Sequence, residues 1–63
     1  MEITQNLLMS LGFVKDSSTR YHYKAFAGTH DEQAGVFFFD GFRFGVAFEH
    51  DMRFLLNLID YEQ

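Results

Sequence analysis

Ile3, Leu7, Leu8 and Leu11 recur at helical spacing in the stretch ITQNLLMSL and predict a helix over residues 3–11. Thr4 is placed to cap its start. Gly12 is expected to stop it with positive φ and to fold Phe13 back onto Leu8. The period then shortens. FVKDSSTRYHYKAF predicts a hairpin around DSST (residues 16–19), four residues that bond readily to their own backbone. On the returning strand Tyr21, Tyr23 and Ala25 share one face, and Arg20, His22 and Lys24 share the other.

AGTHDEQAG (residues 27–35) is polar and bounded by glycines, which predicts a mobile loop of the kind that often carries binding. GVFFFDGFRFGVAF has the strongest alternation in the chain. Asp40-Gly41 between two apolar runs predicts a two-residue hairpin turn. That turn sets Phe39 opposite Phe42, Phe38 opposite Arg43, Phe37 opposite Phe44 and Val36 opposite Gly45. HDMRFLLNLIDYEQ predicts a final helix from Met52 to about Tyr61, capped by Asp51. Its polar stripe is only Arg53, Asn57 and Asp60, so its apolar face is wider than one sheet contact requires.

These elements predict a single α+β domain over residues 1–63, in the order α-β-β-β-β-α. The expected sheet is antiparallel with three to four strands, made of two hairpins, and both terminal helices pack on one face. Six of the nine phenylalanines fall between Phe37 and His50. The string from Asp40 to Phe48 loosely resembles the RNA-recognition signature K/R-G-F/Y-G/A-F-V-x-F/Y. Asp40 replaces its basic residue, Arg43 replaces Gly or Ala, and Gly45 is an insertion. One inserted residue turns every later side chain to the opposite face, which separates the aromatic pair that stacking needs. The pairing register instead gathers Phe37, Phe39, Phe42, Phe44, Val46 and Phe48 on one face. Val36, Phe38, Arg43, Gly45 and Ala47 take the other. Burying a phenylalanine is worth roughly 1.5–3 kcal/mol, so the five-phenylalanine face is expected beneath the helices.

Composition narrows the chemistry. The chain has 63 residues, 48% of them hydrophobic and 19% aromatic, and it has no cysteine or proline. It reads as a complete small protein. At this size only about 60% of the unfolded surface is buried on folding, so small domains lean on disulfides, metals or self-association. Without cysteine, disulfides, thiolate metal sites and thiol catalysis drop out. The formal net charge is −4 and the isoelectric point is near 5.0. Five scattered basic residues do not suit phosphate backbones or anionic lipid. No basic-then-apolar leader and no apolar run of membrane-spanning length stands in the chain. A soluble cytoplasmic protein is the expectation.

Three constellations invite chemistry. His22, His30 and His50, with Asp31, Glu32, Glu49 and Asp51, offer ligands to zinc or manganese, but no pair has the i, i+4 spacing of a metalloprotease helix. Ser17, Ser18 and Thr19 are hydroxyls near His22, but a working triad needs nucleophile, base and orienting carboxylate in fixed geometry together with oxyanion donors, and four polar residues in a row read as a turn. Nine dispersed acids could imitate DNA phosphates. Small size, acidity and the lack of enzyme motifs give a profile similar to that of accessory proteins carried by bacteriophages, which commonly block a host or defence protein by binding it. The reading is a non-enzymatic protein-binding module that acts by surface occupation and self-associates as a homodimer. No cofactor, metal, nucleic acid or membrane is expected. Its expected contacts are Val36, Phe38 and Arg43 on the open sheet face, with Phe38 as aromatic anchor and Arg43 stacked over it. His30, Asp31 and Glu32 join them from the mobile loop. A phage-type inhibitor of a nucleic-acid-binding enzyme and a small His/carboxylate metal-dependent enzyme are the alternatives.

Overall fold

The computed structural model describes residues 2–61. The elements are α1 (Gln5–Leu11), β1 (Val14–Lys15), β2 (Arg20–Tyr23), β3 (Phe26–Asp31), β4 (Val36–Phe39), β5 (Gly45–Val46) and α2 (Glu49–Tyr61). The strands make one antiparallel sheet in the order β1-β2-β3-β4-β5, so each pairs only with its neighbours in sequence. The α+β architecture is the expected one, with an additional strand.

The first helix forms with the expected cap and end but starts at Gln5 rather than Ile3, whose N–H instead donates to the Gly35 carbonyl at 3.0 Å. Thr4 Oγ1 accepts the Leu7 N–H at 3.1 Å. Gly12 takes φ 105°, a left-handed conformation that costs glycine little. The Gly12 and Phe13 N–H groups then close on the Met9 and Leu8 carbonyls at 3.2 and 3.0 Å. This Schellman-type end turns Phe13 into the core, where it is buried against Phe37 with ring centroids 5.2 Å apart. The DSST turn follows, and Lys15 pairs with Tyr21 across β1 and β2.

The chain departs from expectation at β3. Residues 27–35 are not one mobile loop: Ala27 to Asp31 belong to β3, and only residues 32–35 connect it to β4. The strand escapes a reading by pattern because, after Phe26, its inward positions are not apolar side chains. Gly28 and His30 point to the covered face, and both are buried. A Cβ on Gly28 would lie 2.6 Å from the Phe37 ring, so glycine is what lets that ring lie flat on the sheet. The preceding bend, Lys24-Ala25, also has none of the usual turn residues. Lys24 takes φ 56° there, at the first position of a two-residue turn between paired Tyr23 and Phe26.

The Asp40-Gly41 bend closes, since the Phe42 N–H donates to the Phe39 carbonyl at 3.1 Å. It does not zip the expected ladder. Phe38 pairs with Gly45 and Phe37 with Val46, two residues beyond the expected partners. The cause lies at Asp40. Its N–H donates to the Ala27 carbonyl at 2.9 Å, and its carboxylate is held by Arg20. Asp40 therefore continues the β3–β4 ladder, and positive φ falls on Gly41 alone. The turns that match strand twist, types I′ and II′, both need positive φ at the first position, whereas type I and II turns splay the strands. A slip of two keeps each side chain on its face, so Phe37, Phe39 and Val46 are buried as expected. Phe42 and Phe44, however, leave the ladder for the connecting segment and are exposed, as is Phe48. The expectation that all five phenylalanines lie beneath the helices is corrected accordingly.

The core unites Ile3, Leu8, Phe13, Tyr21, Phe37, Phe39, Val46, Met52 and Leu56. Both helices thus cover the same sheet face. The Phe37 and Phe39 rings meet edge to face at 4.9 Å and 77°, a preferred aromatic geometry. The final helix begins at Glu49, so Asp51 lies in its first turn rather than capping it. No helix among the described residues is long and apolar enough to cross a membrane.

Candidate protein-docking surface

The last helix carries two apolar stripes. Met52 and Leu56 face inward and are buried. Phe54, Leu58 and Tyr61 recur at i, i+4 and i+7 on an outward line and are exposed. Leu55 and Ile59, partly buried, bridge the two stripes. Such a helix satisfies its own sheet with one stripe and leaves the other unmatched.

The slipped hairpin extends that outward stripe. A groove of about 300 Å³ runs between Phe26, Phe39 and Phe42 on the sheet side and Leu55, Leu58 and Ile59 on α2. A second, of about 290 Å³, shares Phe42 and Leu55 with the first and reaches Phe44, Phe54 and Asp51. The two make one continuous apolar trough. Its most projecting rings are Phe44 (82% exposed), Phe54 (62%) and Phe42 (58%).

A polar cluster outside the trough fastens the end of α2. Lys24 Nζ and Tyr23 Oη both donate to the Asp60 carboxylate, the latter at 3.0 Å. These contacts tie the β2–β3 turn to the last turn of α2. The Lys24 hydrogen bond, together with that from Tyr23, holds the Asp60 carboxyl below the usual carboxylate range. Asp60 in turn raises Lys24. Partial desolvation first, and Asp60 second, push the Tyr23 hydroxyl up. Across the sheet, the Arg20 guanidinium bonds Thr29 and Asp40 at 2.8 Å each and lowers the Asp40 carboxyl.

The residues expected to form a contact site do not gather in one place. Val36 and Phe38 do meet on the open sheet face, where both lean over Gly45; a Cβ there would collide with Val36 and lie 2.7 Å from the Phe38 ring. Arg43 is not opposite Phe38 but in the segment between the bend and β5. The expected stacking of Arg43 on Phe38 is absent among the described residues, where the cation–π pairs are Lys15 with Tyr21 and Lys24 with Tyr23. His30 is not in a loop. It is 5% exposed in β3, its Nε2 donates to the Ile3 carbonyl at 2.9 Å, and Tyr21 meets it edge-on. It is a core histidine that fastens the start of the chain to the sheet, inaccessible to a partner. Asp31 ends β3 and accepts the Ala34 N–H at 3.1 Å, while Glu32 is exposed in the short turn that follows.

The three histidines are likewise separate: His22 bonds Asp16 at 2.8 Å, and His50 stacks on Phe48 at the start of α2. No group of three or more potential metal-ligating side chains comes together among the described residues. Sequence reasoning located the surplus on α2 but missed Phe42 and Phe44 as its continuation. Only the positive-φ requirement at Asp40 could have signalled them. No protein-family model, curated protein or solved structure matches this chain.

Proposed function

We propose that this chain is a non-enzymatic protein-binding module that acts by surface occupation, and that its docking surface is the trough between α2 and the Phe42–Phe44 segment. The observation that supports this reading is the outward Phe54, Leu58, Tyr61 stripe continuous with Phe42 and Phe44. The largest apolar patch of a typical monomer is about 300–600 Å2 and is often functional. Aromatic rings at the centre of a patch are the usual anchors of an interface. The open face, with Phe38 and Val36 packed over Gly45, offers much less. The setting we assign is the cytoplasm, which fractionation of producing cells checks.

Photo-crosslinking in the producing cell tests the reading whatever the partner is. Benzoylphenylalanine at position 54 is expected to give a discrete protein adduct, and at position 38 none. Absence of any adduct at position 54 overturns the reading.

A further inference from the structure

We propose that the occupant of the trough is a second copy of this chain, docked about a two-fold axis with the outward stripes of the two α2 helices packed antiparallel. The inference rests on the protein-binding reading above and names its partner.

Area is the first argument. At about 200 Å2 per aromatic side chain, the exposed fractions of Phe26, Phe42, Phe44 and Phe54 leave roughly 500 Å2 of ring surface in water. Leu58 and Tyr61, 48% and 88% exposed, continue the same surface. Together they approach the roughly 800 Å2 per partner of a standard interface. The whole chain exposes 4391 Å2, so this is a large share to leave apolar.

Shape is the second. A two-fold interface uses one patch twice and must be complementary to itself. The trough meets that demand, because it holds projecting rings (Phe44 and Phe54) beside grooves lined by Phe26, Phe42 and Leu58. Rotation about an axis across α2 seats the rings of each copy in the grooves of the other.

Charge chooses the direction. The helix has Glu49 and Asp51 in its first turn and no basic residue in its last. Its carboxyl end has no cation of its own helix, and the one beside it, Lys24, is already engaged by the Asp60 carboxylate, so the partial negative charge of that end can still take a cation. Among the described residues Arg20, Lys24 and Arg53 each hold an acid within the chain, Lys15 reaches Gln5 and the Tyr21 ring on β2, and Arg43, next to the trough in sequence, makes no ion pair. Arg43 lies in sequence between Phe42 and Phe44, which line the trough together with Asp51, Phe54 and Leu55 from the first half of α2. Antiparallel packing brings it to the carboxyl end of the other copy's helix, whereas parallel packing keeps it away.

The test measures mass and dissociation constant by light scattering and sedimentation. The wild-type chain at micromolar concentration is expected to show twice the 7.4 kDa of one copy. Phe54→Glu is expected to raise the dissociation constant by at least about 30-fold, as loss of an interface anchor does. Arg43→Glu is expected to raise it by about tenfold. Phe38→Glu, on the opposite face, leaves it unchanged. All three positions are exposed, and unchanged circular dichroism confirms that each variant folds. Several results overturn the proposal: a wild-type chain of single mass, a dimer dissociated by Phe38→Glu and not by Phe54→Glu, or a dimer indifferent to Arg43→Glu. A wild-type chain of single mass that still gives a position-54 adduct with a different protein removes the second copy and leaves the protein-binding reading standing. Single mass with no adduct removes both.

Discussion

Gly28 decides whether Phe37 can lie on the sheet. Its missing side chain leaves the space that the Phe37 ring fills, and any Cβ would stand 2.6 Å from that ring and closer still to the Phe38 carbonyl. Backbone cannot yield as a flexible side-chain tip does. Gly28→Ala is therefore expected to destabilise the fold by about 1–3 kcal/mol through overpacking, read as a lower denaturant midpoint with unchanged slope. Neither Gly28 nor His30 announces its role in the sequence. A buried glycine and a buried histidine look like loop residues until the ring above one and the carbonyl facing the other are known. Asp40 is similar: in DG it looks like half of a tight hairpin, yet its partners Ala27 and Arg20 come from elsewhere in the sheet. Thr4 and Gly12 are legible because capping needs only neighbours within five residues.

At the level of elements, α2 is attached to the sheet twice, by the Met52 and Leu56 stripe and by the Asp60 cluster with Lys24 and Tyr23. The second attachment depends on pH. Asp60 and Asp40 titrate below their ordinary range in the folded chain because cations bond them. A group with a lowered folded pKa contributes stability above its unfolded pKa, near 3.9, and loses it as pH falls through the folded value. Lys24 has a raised folded pKa, so its contribution is full below about 10.4 and fades above. The melting temperature is expected to fall on acidification below about pH 4, and Asp60→Asn is expected to flatten part of that fall. An unaltered acid limb in the variant would count against the attachment. Element identity was readable where period and punctuation agreed, as in α1, the β1–β2 hairpin and α2. It failed where the inward face of β3 is filled by rings from other strands. The candidate surface was half legible. The excess on α2 shows in its own periodicity, while the exposure of Phe42 and Phe44 follows from a register set by the bonds of Asp40 to Ala27 and Arg20, with the φ demanded of Asp40 as its one local sign.

For the molecule as a whole, the sheet divides inside from outside along the strand faces, and the helices occupy only one side. The covered side is rich in interlocking rings, from Phe13 through Phe37 to Phe39. The other is bridged by small polar links such as Arg20 with Thr29 and Asp40. The neighbour-only order of the five strands has a kinetic consequence. Every strand pair closes through its own short turn, so no pairing must wait for a distant stretch of chain to arrive, and entropic loop penalties stay small. The chain also lacks proline, which removes the isomerisation that delays many refolding chains by tens of seconds. Stopped-flow circular dichroism at low concentration is expected to show one fast exponential with no slow tail. A persistent slow phase that scales with protein concentration would mark assembly of copies rather than folding of one, so the same trace times the two events separately.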